Sequence, residues 1–419
     1  MVTSILSNAP AHKTAVQLSQ HGCGRATAYS DANKIVTFQD KTHVSWLDSI
    51  AEGFRVRIRT LDRKTGDWSP TYTVGEGYDN HGGPALTLDS DGHLHIVYYP
   101  HHHPFRYRRS MRPNDASEWG DEIQFGERCS YPTMVCGADD TLYLTGRESR
   151  GDHPWLTNLY IKPPNGEQWQ EPIPLFRDDE GGYVRFQEAM AWGTDHRTLH
   201  ITFWIFDANR AYTIGYLRSP DSGKTWERAD GTPVSLPATQ ETVTLVDSEH
   251  TDLRYGSIAI DPQTNTPYVL YTTCTFSHVP SEAWIARLEP SGKWHRRSLA
   301  SEIEEEWKGW SPCMAGALHI ADDGQVFIVL TLMKPETAGE DNWAHASSEV
   351  IRLHAPNMDG RLTTELLSKP DIAEAHWLPN LERPTGHNRV GVPGVIYTAG
   401  PAGEGCDDIL SNKVWWIGE

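Results

Sequence analysis

The chain has 419 residues, 38% hydrophobic and 10% aromatic, and its 37 Lys and Arg against 56 Asp and Glu give a formal net charge of −19. This charge excludes a protein that binds nucleic acid or an anionic membrane through a general basic surface. The 16 Trp and 16 Tyr indicate a large packed interior, and the 35 Gly and 27 Pro supply turns, which excludes disorder and a coiled coil.

The N-terminal sequence and the cysteines say less about the location and chemistry of the protein. No run of about 18 apolar residues is present, so no membrane span is predicted. The sequence as given starts with MVTSILSNAPAHK, which has neither a basic start nor an apolar run and therefore predicts no secretory signal. A cytoplasmic protein and a trimmed secreted or periplasmic form both stay open. Six cysteines without a C-x-x-C pair predict buried free thiols.

A weak internal repeat runs along the chain. Its first half is a pair of apolar stretches around an Asp- or Gly-containing turn, which is typical of a β-hairpin. The pattern predicts hairpins at Ala85–Tyr99, Thr133–Gly146, Ala189–Trp204, Ser257–Thr272 and Ala317–Thr331. Two further hairpins are predicted at about residues 26–40 and 377–398, and Lys413–Gly418 is predicted to be a closing strand.

The second half of the repeat is a polar stretch that ends on a tryptophan. These are Trp68, Trp119, Trp169, Trp226 and Trp294, at spacings of 51, 50, 57 and 68 residues. Such spacings have the length of a propeller blade. The stretch from Ser219 to Trp226 fits S-x-D-x-G-x-T-W, the Asp box of sialidase-like propellers. Asp221 and Ser219 are expected to bond the turn, with a positive φ at Gly223 and Trp226 packed between sheets.

Together these elements predict an all-β protein. Residues 1–419 are expected to form a single seven-bladed β-propeller of four-stranded antiparallel blades, with the N- and C-terminal segments closing the ring. A monomer or a weak oligomer is expected, and no long amphipathic helix is predicted.

In such a blade, the residue that enters the first strand and the residue that leaves the second strand lie on the same face of the disc, at the mouth of the central channel. In the second blade these are His81 in DNHGGP and His101 in YYPHHHPF, and in the third they are Tyr131 in CSYPTM and Arg147 in LTGRES. The equivalent positions of later blades hold Arg185, Gln187, Arg254, Tyr255 and His278. This cationic and aromatic set predicts an acidic ligand.

The stretch Asp79–Ser149 also resembles a known family. It has N-H before one strand, G-H-L-H-I-V-Y-Y followed by H-H-x-P-F-R-Y-R-R-S, and S-Y-P-T followed by T-G-R-E-S, with Arg147 placed 16 residues after Tyr131. This pattern is similar to that of the propeller polysaccharide lyases, which are the ulvan lyases of families 24 and 25 and the rhamnosyl-glucuronate lyases. The resemblance implies a seven-bladed propeller and β-elimination at a uronic acid. It assigns His81 and His101 to the two family histidines, Tyr131 to the catalytic tyrosine and Arg147 to the carboxylate-binding arginine.

These residue types suit elimination at a 4-linked uronate, glucuronate or iduronate, which leaves a 4,5-unsaturated product. A guanidinium neutralises the carboxylate, which points to Arg147 helped by Arg185 or Arg254. A base then removes the C5 proton and an acid protonates O4. His81 or Tyr131 is the expected base, because a neighbouring cation favours a phenolate. His101 is expected to position the carboxylate or to orient Tyr131. The expected partner is an acidic polysaccharide or oligosaccharide, and elimination requires no redox cofactor.

Other interpretations stay open. His250, Cys274 and His278 are expected either to form part of a structural Zn²⁺ site or to be three unrelated residues, and a structural Ca²⁺ held by carbonyls would leave no sequence pattern. A sialidase- or rhamnosidase-like glycoside hydrolase is one alternative function, although the predicted mouth is cationic and aromatic and lacks a carboxylate pair. A carbohydrate-binding propeller without catalytic activity is the other.

Overall fold

The computed structural model of the chain describes residues 14–151, 154–164, 166–177, 184–207, 212–250, 252–273, 281–334, 343–368 and 374–418. Over these residues the protein consists of β-strands and one short helix, α1 at Ala300–Glu306. No helix in this part of the chain is long and apolar enough to cross a membrane.

The strands of the described ranges are short and follow one another closely along the chain. The first eleven are β1 Thr14–Gly22, β2 Ile35–Phe38, β3 Lys41–Ile50, β4 Gly53–Asp62, β5 Tyr72–Gly77, β6 Ala85–Leu88, β7 Leu94–Tyr98, β8 His101–Arg112, β9 Asp115–Trp119, β10 Ile123–Cys136 and β11 Leu142–Glu148. The next ten are β12 Leu156–Lys162, β13 Ile173–Arg177, β14 Val184–Trp192, β15 Leu199–Asp207, β16 Thr213–Ser219, β17 Thr244–Leu245, β18 Arg254–Asp261, β19 Thr266–Thr272, β20 Ala283–Leu288 and β21 Trp294–Ser298. The remaining strands are β22 Ser311–Ile320, β23 Val326–Met333, β24 Glu349–Ala355, β25 Thr363–Leu366, β26 His376–Leu381, β27 Val395–Ala399 and β28 Asn412–Gly418.

Consecutive strands pair in antiparallel fashion. Strands β14–β17, β18–β21 and β22–β25 form three four-stranded sheets. Strands β26–β28 and β1–β5 share one eight-stranded sheet, and β6–β13 share another. The first of these larger sheets is continuous through the pair Gly22–Asp48, and the second through the pairing of β8 with β10.

Successive sets of strands are arranged around a common centre. Strand β2 contacts β6, β6 contacts β10, β10 contacts β14, and the series continues through β18, β22 and β26. The hydrophobic core lies between neighbouring sheets, as in the cluster that joins β18–β20 to β22–β24. The result is a propeller-like all-β fold, which confirms the all-β prediction.

The structure confirms the five hairpins predicted at Ala85–Tyr99, Thr133–Gly146, Ala189–Trp204, Ser257–Thr272 and Ala317–Thr331. They are β6–β7, β10–β11, β14–β15, β18–β19 and β22–β23. The hairpin near 377–398 corresponds to β26–β27, and the predicted closing strand is β28, which pairs with β1.

The hairpin predicted at about residues 26–40 is wrong. The first hairpin here is β2–β3, and it pairs Ile35 with Val44. The segment before it turns repeatedly, because the N–H of Ala26 donates to the Cys23 carbonyl and the N–H of Ala28 donates to the Arg25 carbonyl. Small residues and turn formers therefore make residues 23–34 a loop, which we call the β1–β2 loop.

The Asp-box turn between β16 and β17 forms as predicted. Asp221 Oδ1 accepts the Thr225 N–H at 2.7 Å, and the Ser219 hydroxyl accepts the Gly223 N–H at 2.7 Å. Gly223 has φ +88°, and Trp226 is buried in the core shared with the preceding sheet. The repeat tryptophans each lie near the connection between the third and fourth strand of a set, and Trp294 packs edge-on against Tyr216 of the sheet before it.

Candidate active site

The four residues predicted from strand ends lie together in the structure. The rings of His81 and His101 stack with centroids 3.8 Å apart, and the ring of Tyr131 is 6.2 Å from that of His81. The guanidinium carbon of Arg147 is 4.6 Å from the centre of the Tyr131 ring. We call this end of β6, β7, β10 and β11 the site end, and the opposite end, where their hairpin turns lie, the turn end.

Asp79 holds the two imidazoles in place. Its Oδ1 accepts the His81 backbone N–H at 2.8 Å and lies 3.1 Å from His81 Nδ1, while its Oδ2 lies 2.5 Å from His101 Nδ1. Burial opposes ionisation of Asp79, but the hydrogen bonds from His101 and His81 outweigh it and hold the pKa of the carboxyl below its usual value. Because a carboxylate only accepts, both histidines must carry a proton on Nδ1.

His81 is a neutral imidazole at neutral pH. Burial, together with the nearby charges of Arg25 and His101, lowers the pKa of His81 to about 3, although Asp79 acts in the opposite direction. With Nδ1 protonated, the lone pair is on Nε2, which lies 2.5 Å from Arg25 Nη1. Both ring nitrogens of His81 are therefore engaged, one by Asp79 and the other by Arg25.

Of the three consecutive histidines, His101 faces Asp79 and the other two do not. His102 turns away with φ +60°, and its Nδ1 lies 2.7 Å from the Ser149 hydroxyl. Burial and the charge of Arg147 lower the pKa of His102 to about 4. His103 instead contacts the carbonyl of His101 and stacks on Tyr78 at 3.8 Å. The His101 side chain keeps 20% of its surface exposed, so a ligand in the mouth can reach it.

Tyr131 sits at a sharp bend in β10. Its φ is +59°, and the register of β10 with β11 shifts between Ser130 and Thr133. Before the bend, Ser130 pairs with both His101 of β8 and Arg147 of β11, and after it Thr133–Cys136 pair with β11. The ring packs edge-on against Tyr29 at 5.1 Å. A bulky residue in the left-handed region costs about 1–3 kcal/mol, so the surrounding sheet must impose this conformation.

Arg147 lies beneath the site instead of lining its surface. Its side chain is fully buried, and its guanidinium carbon is 4.6 Å from the Tyr131 ring and 4.9 Å from the Trp155 ring. The structure thus gives Arg147 a packing contact with Tyr131, while its predicted contact with a substrate carboxylate stays a prediction.

Arg25, Tyr29 and Asp79 are site residues that the sequence analysis missed. Arg25 Nη1 contacts both His81 Nε2 and the Tyr29 hydroxyl at 2.5 Å, and Arg25 is partly exposed. Asp79 lies two residues before His81 in the same motif, so an Asp-x-His spacing could have indicated it. Arg25 and Tyr29 come from the β1–β2 loop. They were missed because a hairpin was predicted in this region.

The profile of the BNR repeat-containing family matches residues 28–302 of the chain. The chain belongs to this family. Two curated proteins are similar to this BNR repeat protein in sequence. The Ulvan Lyase-PL25 of Pseudoalteromonas sp. (strain PLSV) is 24% identical over 139 residues, which cover 30% of this chain and 26% of that protein. An ulvan lyase of Nonlabens ulvanivorans is 20% identical over 297 residues, which cover 60% of this chain and 62% of that protein. Each match thus spans less than two thirds of the relative's length.

Solved structures show the same fold. A polysaccharide lyase of family 25, an ulvan lyase bound to -[GlcA(1-4)Rha3S]-, superposes on this BNR repeat protein with a TM-score of 0.73 at 13% identity, covering 96% of this chain and 95% of that one. The polysaccharide lyase Uly1 superposes with a TM-score of 0.63 at 12% identity, covering 97% and 98%.

The five residues predicted to bind substrate fall in different places in this BNR repeat protein. Arg254 lies beside the site, because its guanidinium and that of Arg25 each pack 4.9 Å from the Trp343 ring. Tyr255 is 5% exposed, and its hydroxyl lies 2.6 Å from the Thr202 hydroxyl, so burial raises its pKa and the side chain packs in the interior. Gln187 lies in β14, opposite Trp204. Arg185 is in the same strand, but its side chain is outside the described part of the chain, as is all of His278.

The predicted metal set of His250, Cys274 and His278 stays a prediction, because Cys274 and His278 lie outside the described residues. His250 Nδ1 lies 2.8 Å from Asp247 Oδ2, and its ring packs against Trp284. At the site itself, Asp79, His81, His101 and Cys406 bring donor atoms within 4.8 Å of one another. The guanidinium of Arg25 lies in contact with that group, and its positive charge opposes a cation there.

Proposed function

We propose that this BNR repeat protein is a polysaccharide lyase that cleaves a 4-linked glucuronate or iduronate by β-elimination and leaves a 4,5-unsaturated uronate. The observation that carries the proposal is the convergence of Asp79, two imidazoles, a phenol and the partly exposed Arg25 at one mouth of the fold. These are the groups that elimination from an acidic sugar requires.

The reaction transfers a proton from C5 to O4 and breaks the C5–H and C4–O4 bonds. A base takes the proton from C5, the electrons form the C4–C5 double bond, the C4–O4 bond breaks, and an acid gives a proton to O4. The C5 proton is removable only when a cation neutralises the adjacent carboxylate and the enolate that develops from it. Arg25 is partly exposed and contacts His81 directly, and we assign its guanidinium to the carboxylate together with His101.

Tyr131 is the better candidate for proton transfer. His81 has a pKa of about 3 and its lone pair faces Arg25, so it is a weak base whose nitrogens are both engaged. We therefore assign His81 to positioning Arg25. We assign both proton transfers to the Tyr131 oxygen, which as a phenolate removes the C5 proton and as the resulting phenol protonates O4 on the same face of the sugar. Arg147 packs against the Tyr131 ring and supports its orientation.

The similar proteins support this proposal. Two sequence relatives are ulvan lyases, and the superposed lyase of family 25 binds -[GlcA(1-4)Rha3S]-, which contains a uronic acid linked to a sulfated rhamnose. An acidic polysaccharide of this kind is the substrate class we propose for this chain.

We also propose that the propeller has seven blades. The two eight-stranded sheets each divide into two sets of four strands at the joins β1–β3 and β8–β10, and the remaining three sheets have four strands each. A structural Ca²⁺ or Zn²⁺, including the set His250, Cys274 and His278, stays part of the proposal, and elimination takes no redox cofactor.

The test is incubation of the purified protein with ulvan, gum arabic and glucuronan while near-ultraviolet absorbance is followed. A rise in absorbance, which reports the unsaturated uronate, is the expected result with at least one polymer. New reducing ends without absorbance would indicate hydrolysis and overturn the proposal. Binding without either signal would indicate a carbohydrate-binding protein.

A further inference from the structure

A loop crosses the turn end of the fold and is bonded to several sheets there. It joins β26 to β27 over residues 382–394, and we call it the crossing loop. The Thr385 carbonyl accepts the Cys136 N–H at 2.7 Å and the Thr87 hydroxyl at 2.8 Å, while the Thr385 hydroxyl accepts from Asn33 Nδ2 at 3.2 Å. These bonds hold the crossing loop against the β1–β2 loop, β6 and β10.

Three potential metal ligands meet where the crossing loop touches the β10–β11 hairpin. Cys136, Asp140 and His387 offer donor atoms that all lie within 4.8 Å of one another. His387 Nε2 lies 3.0 Å from Asp140 Oδ1 and 3.2 Å from the Gly137 carbonyl oxygen. The cluster joins residues about 250 positions apart in the chain.

The backbone brings the thiol and the imidazole together at a glycine. A Cβ at Gly386 would lie 2.4 Å from the Leu88 carbonyl oxygen and 3.1 Å from the Cys136 Cβ. Only glycine allows the loop to approach so closely, and His387 follows it directly. Both Asp140 oxygens accept from Ser90, its N–H at 2.8 Å and its hydroxyl at 2.6 Å, so the carboxylate is oriented by a second residue.

We propose that Cys136, Asp140 and His387 form a Zn²⁺ site that fastens the crossing loop to the β10–β11 hairpin. Thiolate, imidazole and carboxylate are the donors that Zn²⁺ prefers, and three protein ligands leave a fourth position for water or the Gly137 carbonyl. Binding releases the thiol proton of Cys136 to solvent, and His387 coordinates through Nε2 with its own proton on Nδ1.

The surroundings favour this cluster over the one at the site end. His387 lines an open cavity at the turn end with Ser90 and Asn388, and its side chain is 26% exposed, so an ion can enter from solvent. Cys136 is 2% exposed and shields the metal from the other side. At the site end, the cluster of Asp79, His81, His101 and Cys406 instead has the Arg25 guanidinium in contact with it.

The test is titration of chelator-treated full-length protein with Co²⁺, which replaces Zn²⁺ and gives a near-ultraviolet charge-transfer band when a thiolate is a ligand. Each of the three candidate sites holds one cysteine, so three variants separate them. We expect Cys136→Ser to lose the band intensity of one bound Co²⁺, Cys406→Ser to keep that intensity, and Cys274→Ser to remove only a band that comes from its own set. An unchanged band in Cys136→Ser, or no band in the unaltered protein, would overturn the proposal.

A second measurement guards against misfolding of the buried Cys136 variant. His387→Gln changes a partly exposed side chain, and its folding is checked by circular dichroism. We expect free Zn²⁺ at 100 times its Kd to raise the Tm of the unaltered protein by about 3 °C more than the Tm of His387→Gln. Equal shifts in both proteins would contradict the assignment.

Discussion

The site end and the turn end of the same strands use their polar residues in opposite ways. At the turn end, Asp221 bonds the backbone and hydroxyl of Thr225 within its own turn, and Asp89 accepts the His93 N–H at 2.7 Å in the β6–β7 turn. At the site end, Asp79 bonds two imidazoles that are 20 residues apart in the chain. Local sequence is enough to build these two turns, whereas the contacts of Asp79 require neighbouring strands to come together.

The backbone shows the same difference. Positive φ values in the β6–β7 and β10–β11 turns fall on Gly92 and Asp140, which adopt that conformation readily. At the site end they fall on Tyr99, His102 and Tyr131, with φ of +92°, +60° and +59°. Each of these bulky residues costs about 1–3 kcal/mol in the left-handed region. Among these positions, backbone strain is therefore concentrated at the site end.

Removal of one hydroxyl at the site end is expected to have the largest effect. Tyr131→Phe keeps the ring between Tyr29 and Arg147 but removes the proton carrier, and kcat should fall about 10³-fold, within the range of general acid–base catalysis. The readout is the absorbance of unsaturated product. Tyr216→Phe, which removes a hydroxyl bonded to His200 far from the mouth, should keep full activity. Full activity in Tyr131→Phe would exclude Tyr131 from the chemistry.

The second largest effect is expected for Asp79, the acceptor shared by His81 and His101. Asp79→Asn places an amide that can accept from only one Nδ1–H, so His81 or His101 must change its tautomer or turn over. We expect kcat/KM to fall about 10²-fold, the lower end of the range for general acid–base catalysis. Asp221→Asn makes the same change at the turn end and should leave kcat/KM as in the unaltered protein. Equal losses in both variants would show that Asp79 has only a structural role.

The buried carboxyl of Glu188 in β14 should make the free energy of unfolding depend on pH. Burial raises the pKa of Glu188 in β14 to about 8, against which the hydrogen bond from Thr157 acts. The folded state thus holds a proton that the unfolded state releases between about pH 4.5 and 8, so the free energy of unfolding falls as the pH rises through this window. Denaturant unfolding should show Glu188→Gln more stable than the unaltered protein at pH 8 by on the order of 3 kcal/mol, with little difference at pH 4.5. The exposed Glu52→Gln should show no such gain.

The smallest effect is expected at the Asp box. Asp221→Ala removes acceptors for the Thr225 N–H and hydroxyl, and it should lower the free energy of unfolding by about 1–2 kcal/mol without a change in kcat. Urea unfolding and the lyase assay measure the two quantities. A loss of activity without a loss of stability would contradict the separation between the two ends.

What the sequence could predict follows the same division. Hairpins such as β6–β7 and the Asp-box turn depend on residues close together in the chain, so sequence patterns predict them. His81, His101, Tyr131 and Arg147 could be grouped because the topology of a blade places strand ends on one face. The burial of Arg147 could not be inferred, because it depends on how Tyr131 and Trp155 pack over it.

Apart from Asp79, the residues that escaped prediction make their contacts over long sequence distances. Arg25 meets His81 across 56 residues from a loop without a repeat pattern, and His387 meets the β10–β11 hairpin across 250 residues. No periodicity or spacing within one segment indicates such pairs. The boundary of the first hairpin failed for a related reason, since the turns of the β1–β2 loop resemble those between strands.

The proposed catalytic groups come from the β1–β2 loop and from β6 to β11, which occupy one sector of the mouth, while Arg254 and Trp343 reach the same opening from other sheets. Under the proposed function, sugars beyond the reacting unit would contact parts of the chain that do not hold Asp79 or its two imidazoles. Substitutions in those other sectors would then change which oligosaccharide binds and leave proton transfer unchanged.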